Sequence, residues 1–228
     1  MYDKFIVEGL KINKELIEEN RHIIDSVYVS NPDHLSILNN TRIQELLCQV
    51  TPIQMRQISQ MTTPPGILSV CSMPPESILP NDLRGKKVLY LDAIRDPGNL
   101  GTILRIADWF GLDFVICSPD CVDIFNHKVI QSSMGSALRV NVASMNIEDL
   151  LSRNEPMYVC DAHGKSIYDI RPPSDGIIIL GNESLGVSDH LSQQATEIFA
   201  IPGHAGKGAE SLNVASAAAI IAAWWWQA

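Results

Sequence analysis

The sequence predicts an α/β protein: a small N-terminal α/β layer, then a larger and mostly parallel sheet flanked by helices. Three observations carry that prediction. From Lys87 onward, short apolar runs rich in branched residues alternate with helical ones, the pattern of strands joined by crossover helices. Residues 72–86 hold Pro74, Pro75 and Pro80 and little periodicity, so they read as a linker between a domain at 1–71 and a domain at 87–228. The chain has 228 residues, of which 46% are hydrophobic and 19% charged, enough apolar material for packed cores in both parts.

In the first part, Phe5–Val7 reads as a strand, Leu10–Glu19 as an amphipathic helix and Ser26–Ser30 as a second strand. Thr41–Cys48 and Met55–Met61 read as helices, and the β-rich run Gly66–Cys71 follows the breaker Pro64-Pro65-Gly66. In the second part the expected strands are Val88–Ala93, Phe114–Cys117, Arg139–Val142, Met157–Asp161, Gly176–Leu180 and Glu197–Ile201. The expected helices are Leu100–Phe110 closed by Gly111, Lys128–Met134, Ile147–Arg153, Asp189–Gln194 and Ser211–Trp226. In sheets of this kind ligands sit beyond the carboxyl ends of the strands.

Composition narrows the function. A net charge of −9 and a pI of about 5.0 argue against a broadly basic surface that coats nucleic acid, though a local basic patch remains open. The five cysteines, Cys48, Cys71, Cys117, Cys121 and Cys160, form no C-x-x-C pair, and no metal-ligand spacing links them to the six histidines. They read as reduced thiols of a cytoplasmic protein, and no metal is expected. The N-terminus has no apolar run of signal-peptide kind. Val214–Trp226 is apolar except for Ser216, but a membrane span needs about 20 such residues. It reads as a buried helix, with Trp224–Trp226 as core or interface packing.

Three segments run from a strand into a polar or Gly-rich turn. In the first, LDAIRDPGNLGTILRIADWFG, Pro97-Gly98 makes a tight turn and Asn99 is a candidate cap for the helix that follows. Arg105 interrupts what reads as the inward face of that helix, where its fork of donors could clamp a phosphate or a developing anion. In the second, the buried strand ending at Leu180 is followed by Gly181, Asn182 and Glu183, with Gly181 permitting close backbone approach to a ligand. The third runs from Ile201-Pro202 to Ser211 and Asn213, with Ser211 as the expected cap of the last helix. A phosphate loop fails here: Ile201 stands where the first Gly belongs, and Gly208 follows Lys207 in place of Ser or Thr. No dinucleotide fingerprint follows the first strand of either part.

Taken together, the segments resemble the SpoU (TrmH-type) RNA 2′-O-ribose methyltransferases of the SpoU–TrmD superfamily. The resemblance rests on Asn99, Gly101 and Arg105, on Leu180–Glu183, and on Ile201-Pro202 with Ser211–Ala215, in that order. Ser133, Gly135 and Arg139 look like the family's segment between the first two motifs. Residues 5–71 resemble its substrate-binding domain, which is related to kink-turn-binding ribosomal proteins. The resemblance implies a C-terminal trefoil knot, a homodimer formed through the knot domain, and S-adenosylmethionine as cofactor. It maps cofactor contacts to Leu180, Gly181, Asn182, Ile201, Pro202 and Leu212. It maps catalysis to Arg105, with Asn99, Glu183, Ser211 and Asn213 positioning it and the ribose. The expected activity is methylation of a ribose 2′-hydroxyl, in ribosomal RNA ahead of transfer RNA. The alternative is a non-catalytic RNA-binding or assembly factor that keeps the fold. The loop GHAGKGAES is longer than is usual in the family, which leaves Lys207 without an assigned role.

Overall fold

The structure, a computed structural model, describes residues 3–37, 41–75, 78–182, 186–204, 206 and 208–227. Two sheets form. The first part contains β1 (Lys4–Glu8), α1 (Leu10–Glu19), β2 (Ile24–Val29), α2 (Pro32–Ile37), β3 (Leu47–Gln49), α3 (Pro52–Ile58) and β4 (Ile67–Ser72). Its sheet has the order β1-β4-β2-β3, with β3 added parallel to β2 and the other pairs antiparallel. The second part contains β5 (Lys87–Leu91), α4 (Pro97–Phe110), β6 (Phe114–Cys117), α5 (His127–Ser132), β7 (Val142–Ser144), α6 (Ile147–Ser152), β8 (Met157–Ser166), β9 (Gly176–Leu180), α7 (Asp189–Gln194), β10 (Glu197–Ala200) and α8 (Val214–Trp225). Its six strands run in the order β10-β8-β9-β5-β6-β7, and every neighbouring pair is parallel.

The central strands are buried on both faces, which is why they read as unbroken apolar runs. Leu89, Leu91, Ile178 and Leu180 face a core shared with α4 and α8, whereas Val88, Tyr90, Ile177 and Ile179 face a core shared with α6 and α7. Each such side chain contributes roughly 1.5–3 kcal/mol on burial, so the sheet centre is the stable frame on which the strand-end loops are hung. The last helix is pinned to this frame. Lys87 Nζ donates to the Trp225 carbonyl at 2.6 Å and lies 5.6 Å from the centre of its ring, and Trp225 Nε1 donates to the Pro173 carbonyl at 2.7 Å.

Several expectations are corrected. Thr41–Cys48 is not a helix: a 3-10 turn over Thr41–Leu46 gives way to β3, where pairing with Val27–Val29 outweighs local helix preference. Arg139 does not begin a strand. The 3-10 turn Ser136–Leu138 precedes it, its guanidinium is drawn to two carboxylates, and β7 starts only at Val142. The expected helix Lys128–Met134 ends at Ser132, and Met134 takes a φ of 53°. The expected linker is not wholly free: Leu83 is buried in the second core, and its amide donates to Glu155 Oε1 at 3.0 Å.

Candidate active site

The loops at the carboxyl ends of β8, β9 and β10 enclose a cleft of about 430 Å³. All six residues expected to hold a cofactor line it: Leu180, Gly181, Asn182, Ile201, Pro202 and Leu212. Ser211 lines it too. Gly181 is there for space, because a Cβ at this position would lie 2.2 Å from the Gly186 carbonyl carbon. Asn182 and Gly186 close the turn with reciprocal backbone hydrogen bonds of 3.0 and 2.8 Å. Glu183, expected in the same turn, lies outside the described residues, as does Lys207.

The first motif reaches the cleft through its neighbours. Asn182 Nδ2 donates to the Ala93 carbonyl at 2.9 Å, which fastens the end of β9 to the loop leading into α4. Asp92 is buried in that loop, and its Oδ2 accepts from the Ser188 amide at 3.0 Å. The helix cap is Asp96 rather than Asn99: its carboxylate accepts from the Asn99 amide at 2.7 Å, and Pro97 occupies the first helical position. Asn99 instead stands in the first turn of α4, where its Oδ1 accepts from Asn213 Nδ2 at 2.9 Å. Asn213, in turn, caps α8, its Oδ1 accepting from the Ala215 and Ser216 amides at 2.9 and 3.3 Å. Ser211 therefore lies ahead of the helix, exposed, and is not the cap. The Asn99–Asn213 bond brings together the N-termini of two long helices, where unpaired amides favour negative charge.

Arg105 departs furthest from expectation. It is exposed, does not line the cleft, and has no hydrogen bond or ion pair among the described residues. The helical period explains why. Leu100, Ile103, Leu104 and Ala107 form the buried stripe, and Arg105 falls with Thr102 and Trp109 on the opposite side.

The sequence reading missed two acids and a thiol on the cleft wall. Asp161 and Glu210 make it complementary to a cation, and Cys160 stands beside them. Burial, and then the Asp161 charge, push the Cys160 thiol up to about 12, so it forms a neutral wall and not a nucleophile. Among the described residues no group of His, Cys, Asp and Glu could hold a metal ion, and no helix is long and apolar enough to cross a membrane.

Residues 86–223 match the SpoU rRNA Methylase family. The 23S rRNA (guanosine(2553)-2′-O)-methyltransferase RlmP of Bacillus subtilis (strain 168) is 31% identical over 222 residues, covering 95% of this chain and 86% of its own. A TrmH-family structure from Porphyromonas gingivalis matches with a TM-score of 0.85 at 31% identity, covering 98% of this chain and 89% of that one. An AdoMet-bound rRNA methyltransferase from Sinorhizobium meliloti matches with a TM-score of 0.83 at 24% identity, covering 96% and 85%. The matched stretch contains the whole parallel sheet and every loop around the cleft, and on that ground the chain belongs to the SpoU rRNA methylase family.

Proposed function

We propose that this protein transfers the methyl group of S-adenosylmethionine to a ribose 2′-hydroxyl of RNA, with ribosomal RNA as substrate. The observation that carries the reading is that two distant motifs line one cleft and a third is fastened beside it through the Asn99–Asn213 bond, in a chain related along nearly its whole length to an rRNA 2′-O-methyltransferase. The cofactor, when bound, supplies an activated methyl group on a sulfonium. The chain's residues do the rest. Gly181 and its neighbours offer backbone edges to the cofactor, Leu212 covers it, and Asp161 and Glu210 complement its positive charge.

The acceptor hydroxyl is a weak nucleophile until its proton leaves, so the site must align it and stabilise the oxygen's growing negative charge. Arg105 holds the substrate phosphate and stabilises that oxygen. A guanidinium with a pKa above about 12 is a poor base, so Arg105 does not take the proton, which passes to solvent water as the oxygen takes up the methyl group. Asn99 and Asn213 fix the ribose from the two joined helix ends, with Ser211 and Glu183 completing the set.

The same reading assigns residues 1–71 to substrate RNA, the 87–228 region to a knotted methyltransferase domain, and the protein to the cytoplasm. It also makes the protein a homodimer through the outer face of α4 and α8. Supporting this, Trp109 is 84% exposed beside Arg105, and Trp226 is 63% exposed with its ring 6.4 Å from that of Phe110. A second copy over this face covers the indoles and encloses Arg105.

The test is methyl transfer from labelled S-adenosylmethionine to unmodified large-subunit ribosomal RNA, with transfer RNA in parallel. Label at a single ribose of the ribosomal RNA is the expected outcome. Label on transfer RNA alone, or cofactor binding without transfer to either, overturns the reading.

A further inference from the structure

The family-like segment around Arg139 takes no part in the cleft, yet it makes the densest polar contact between the two sheets. Arg139 Nη1 donates to Glu15 Oε2 on α1 at 2.8 Å, while Nε and Nη2 donate to Asp108 Oδ2 on α4 at 3.0 and 2.7 Å. Ser136 Oγ donates to the same Asp108 oxygen at 2.7 Å. Around this centre the N-terminal part makes further contacts with the turn that follows α5. Arg21 Nη1 donates to the Arg139 carbonyl at 3.1 Å, and His22 Nε2 pairs with the Leu138 carbonyl at 2.9 Å. Gln131 Nε2 donates to the Glu8 carbonyl at 2.9 Å. Beneath the polar layer, Phe5, Val7, Ile12 and Leu16 share one apolar cluster with Ile130 and Leu138. Gly135 suits the turn at this joint, since its φ of +90° is one that L side chains rarely adopt.

One guanidinium thus bridges two carboxylates, one from a helix of each part. Four of its five N–H groups are engaged, by Asp108, Ser136 and Glu15, which leaves little for a phosphate. Without it, Glu15 and Asp108 would be left as like charges across the joint. Asp108 stands three residues after Arg105 on the same helix. Each part also has its own core, since Ile17, Val27, Val29, Ile43 and Ile67 cluster apart from this contact. The bridge therefore sets how the two parts are oriented, not whether each folds.

We propose that Arg139 is a positioning residue that locks the N-terminal part onto α4, so that RNA held by that part meets Arg105 in one fixed orientation. This rests on the functional reading above. The test leaves Arg139, Asp108 and the cleft intact and alters only the arm on α1. Glu15→Lys sets a cation against Arg139, and Glu15→Gln weakens the bridge more gently. Three quantities are measured on the purified full chain: small-angle scattering, S-adenosylmethionine affinity by calorimetry, and kcat and KM on an unmodified ribosomal RNA transcript. For Glu15→Lys the scattering profile broadens and the RNA KM rises about tenfold, while kcat and cofactor affinity stay within about twofold. Glu15→Gln moves the same quantities less. An RNA KM unchanged in Glu15→Lys overturns the proposal, as does a fall in kcat or cofactor affinity at constant KM. Absence of methyl transfer in the unaltered protein overturns the functional reading instead, and is told apart because it appears before any substitution.

Discussion

Two loops at the carboxyl rim of the parallel sheet lead into long helices, and they are built in opposite ways. The loop from Asp92 to Asp96 is tied at each step. The Asp92 amide donates to the Leu180 carbonyl at 2.9 Å, the Ala93 amide to Ser118 Oγ at 2.9 Å, and the Ile94 amide to Cys121 Sγ at 3.3 Å. From Pro202 to Leu212, by contrast, every described residue is exposed, and none makes a hydrogen bond among the described residues. The first loop is finished before any ligand arrives. The second has polar groups and apolar surface still to be satisfied, as befits a wall that closes over a bound molecule. On the proposed function, the tied side serves the chemistry and the open side binds the cofactor.

The strongest test of that division is Arg105→Ala. On the proposed mechanism it lowers methyl transfer by about 10²–10³-fold, the size of losing one charge-stabilising group, and leaves cofactor affinity within a few-fold. An equal loss of affinity in calorimetry would merge the two sides. Next is Leu212→Ala on the open loop. Leu212 is half exposed, and the bound cofactor covers it, so affinity falls about tenfold while the melting temperature without cofactor stays unchanged. A drop in that melting temperature would mean the loop is already packed. Asn213→Ala comes third. It removes the cap of α8 and the bond to Asn99, costing about 1 kcal/mol in denaturant unfolding, with the larger effect on kcat.

The smallest effect concerns Cys121, an anchor of the tied loop. A hydrogen bond from Cys117, opposed by burial, lowers its thiol below the ordinary value, whereas the Cys117 thiol is held well above its own. Because the thiolate is the reactive form, alkylation of Cys121 sets in at lower pH than that of an ordinary thiol and accelerates as pH rises, and Cys117 stays unmodified. Mass spectrometry after a short iodoacetamide pulse at several pH values reads this directly. Capped protein then loses the contact to the Ile94 amide and shows a modest fall in kcat. Cys117 reacting first would sink the assignment.

Local chemistry made most of the fold legible. Phe114–Cys117, Gly176–Leu180 and Asp189–Gln194 have the bounds that their apolar runs and breakers predict. The cleft lining was legible as well, since Gly181, Asn182, Ile201 and Pro202 follow directly on strands. What escaped depends on partners distant in the chain. β3 is a strand only because β2 lies beside it, and Arg139 is diverted by Glu15, which no local pattern connects to it. Asp161 and Glu210 form part of the cleft only once β8 and the last loop are brought together. Two errors were avoidable. Pro97 at the first helical position marks Asp96, not Asn99, as the cap, and counting 3.6 residues per turn from Ile103 places Arg105 on the outer face.

The ammonium of Lys87, set against the carbonyl end of α8, has a consequence for how the molecule comes apart. Terminal helices ordinarily fray first. Here, unwinding the final turns strips a hydrogen-bond acceptor from the opening residue of the strand at the heart of the parallel sheet. The last turn of α8 and the first residue of β5 are thus coupled, so that opening one loosens the other.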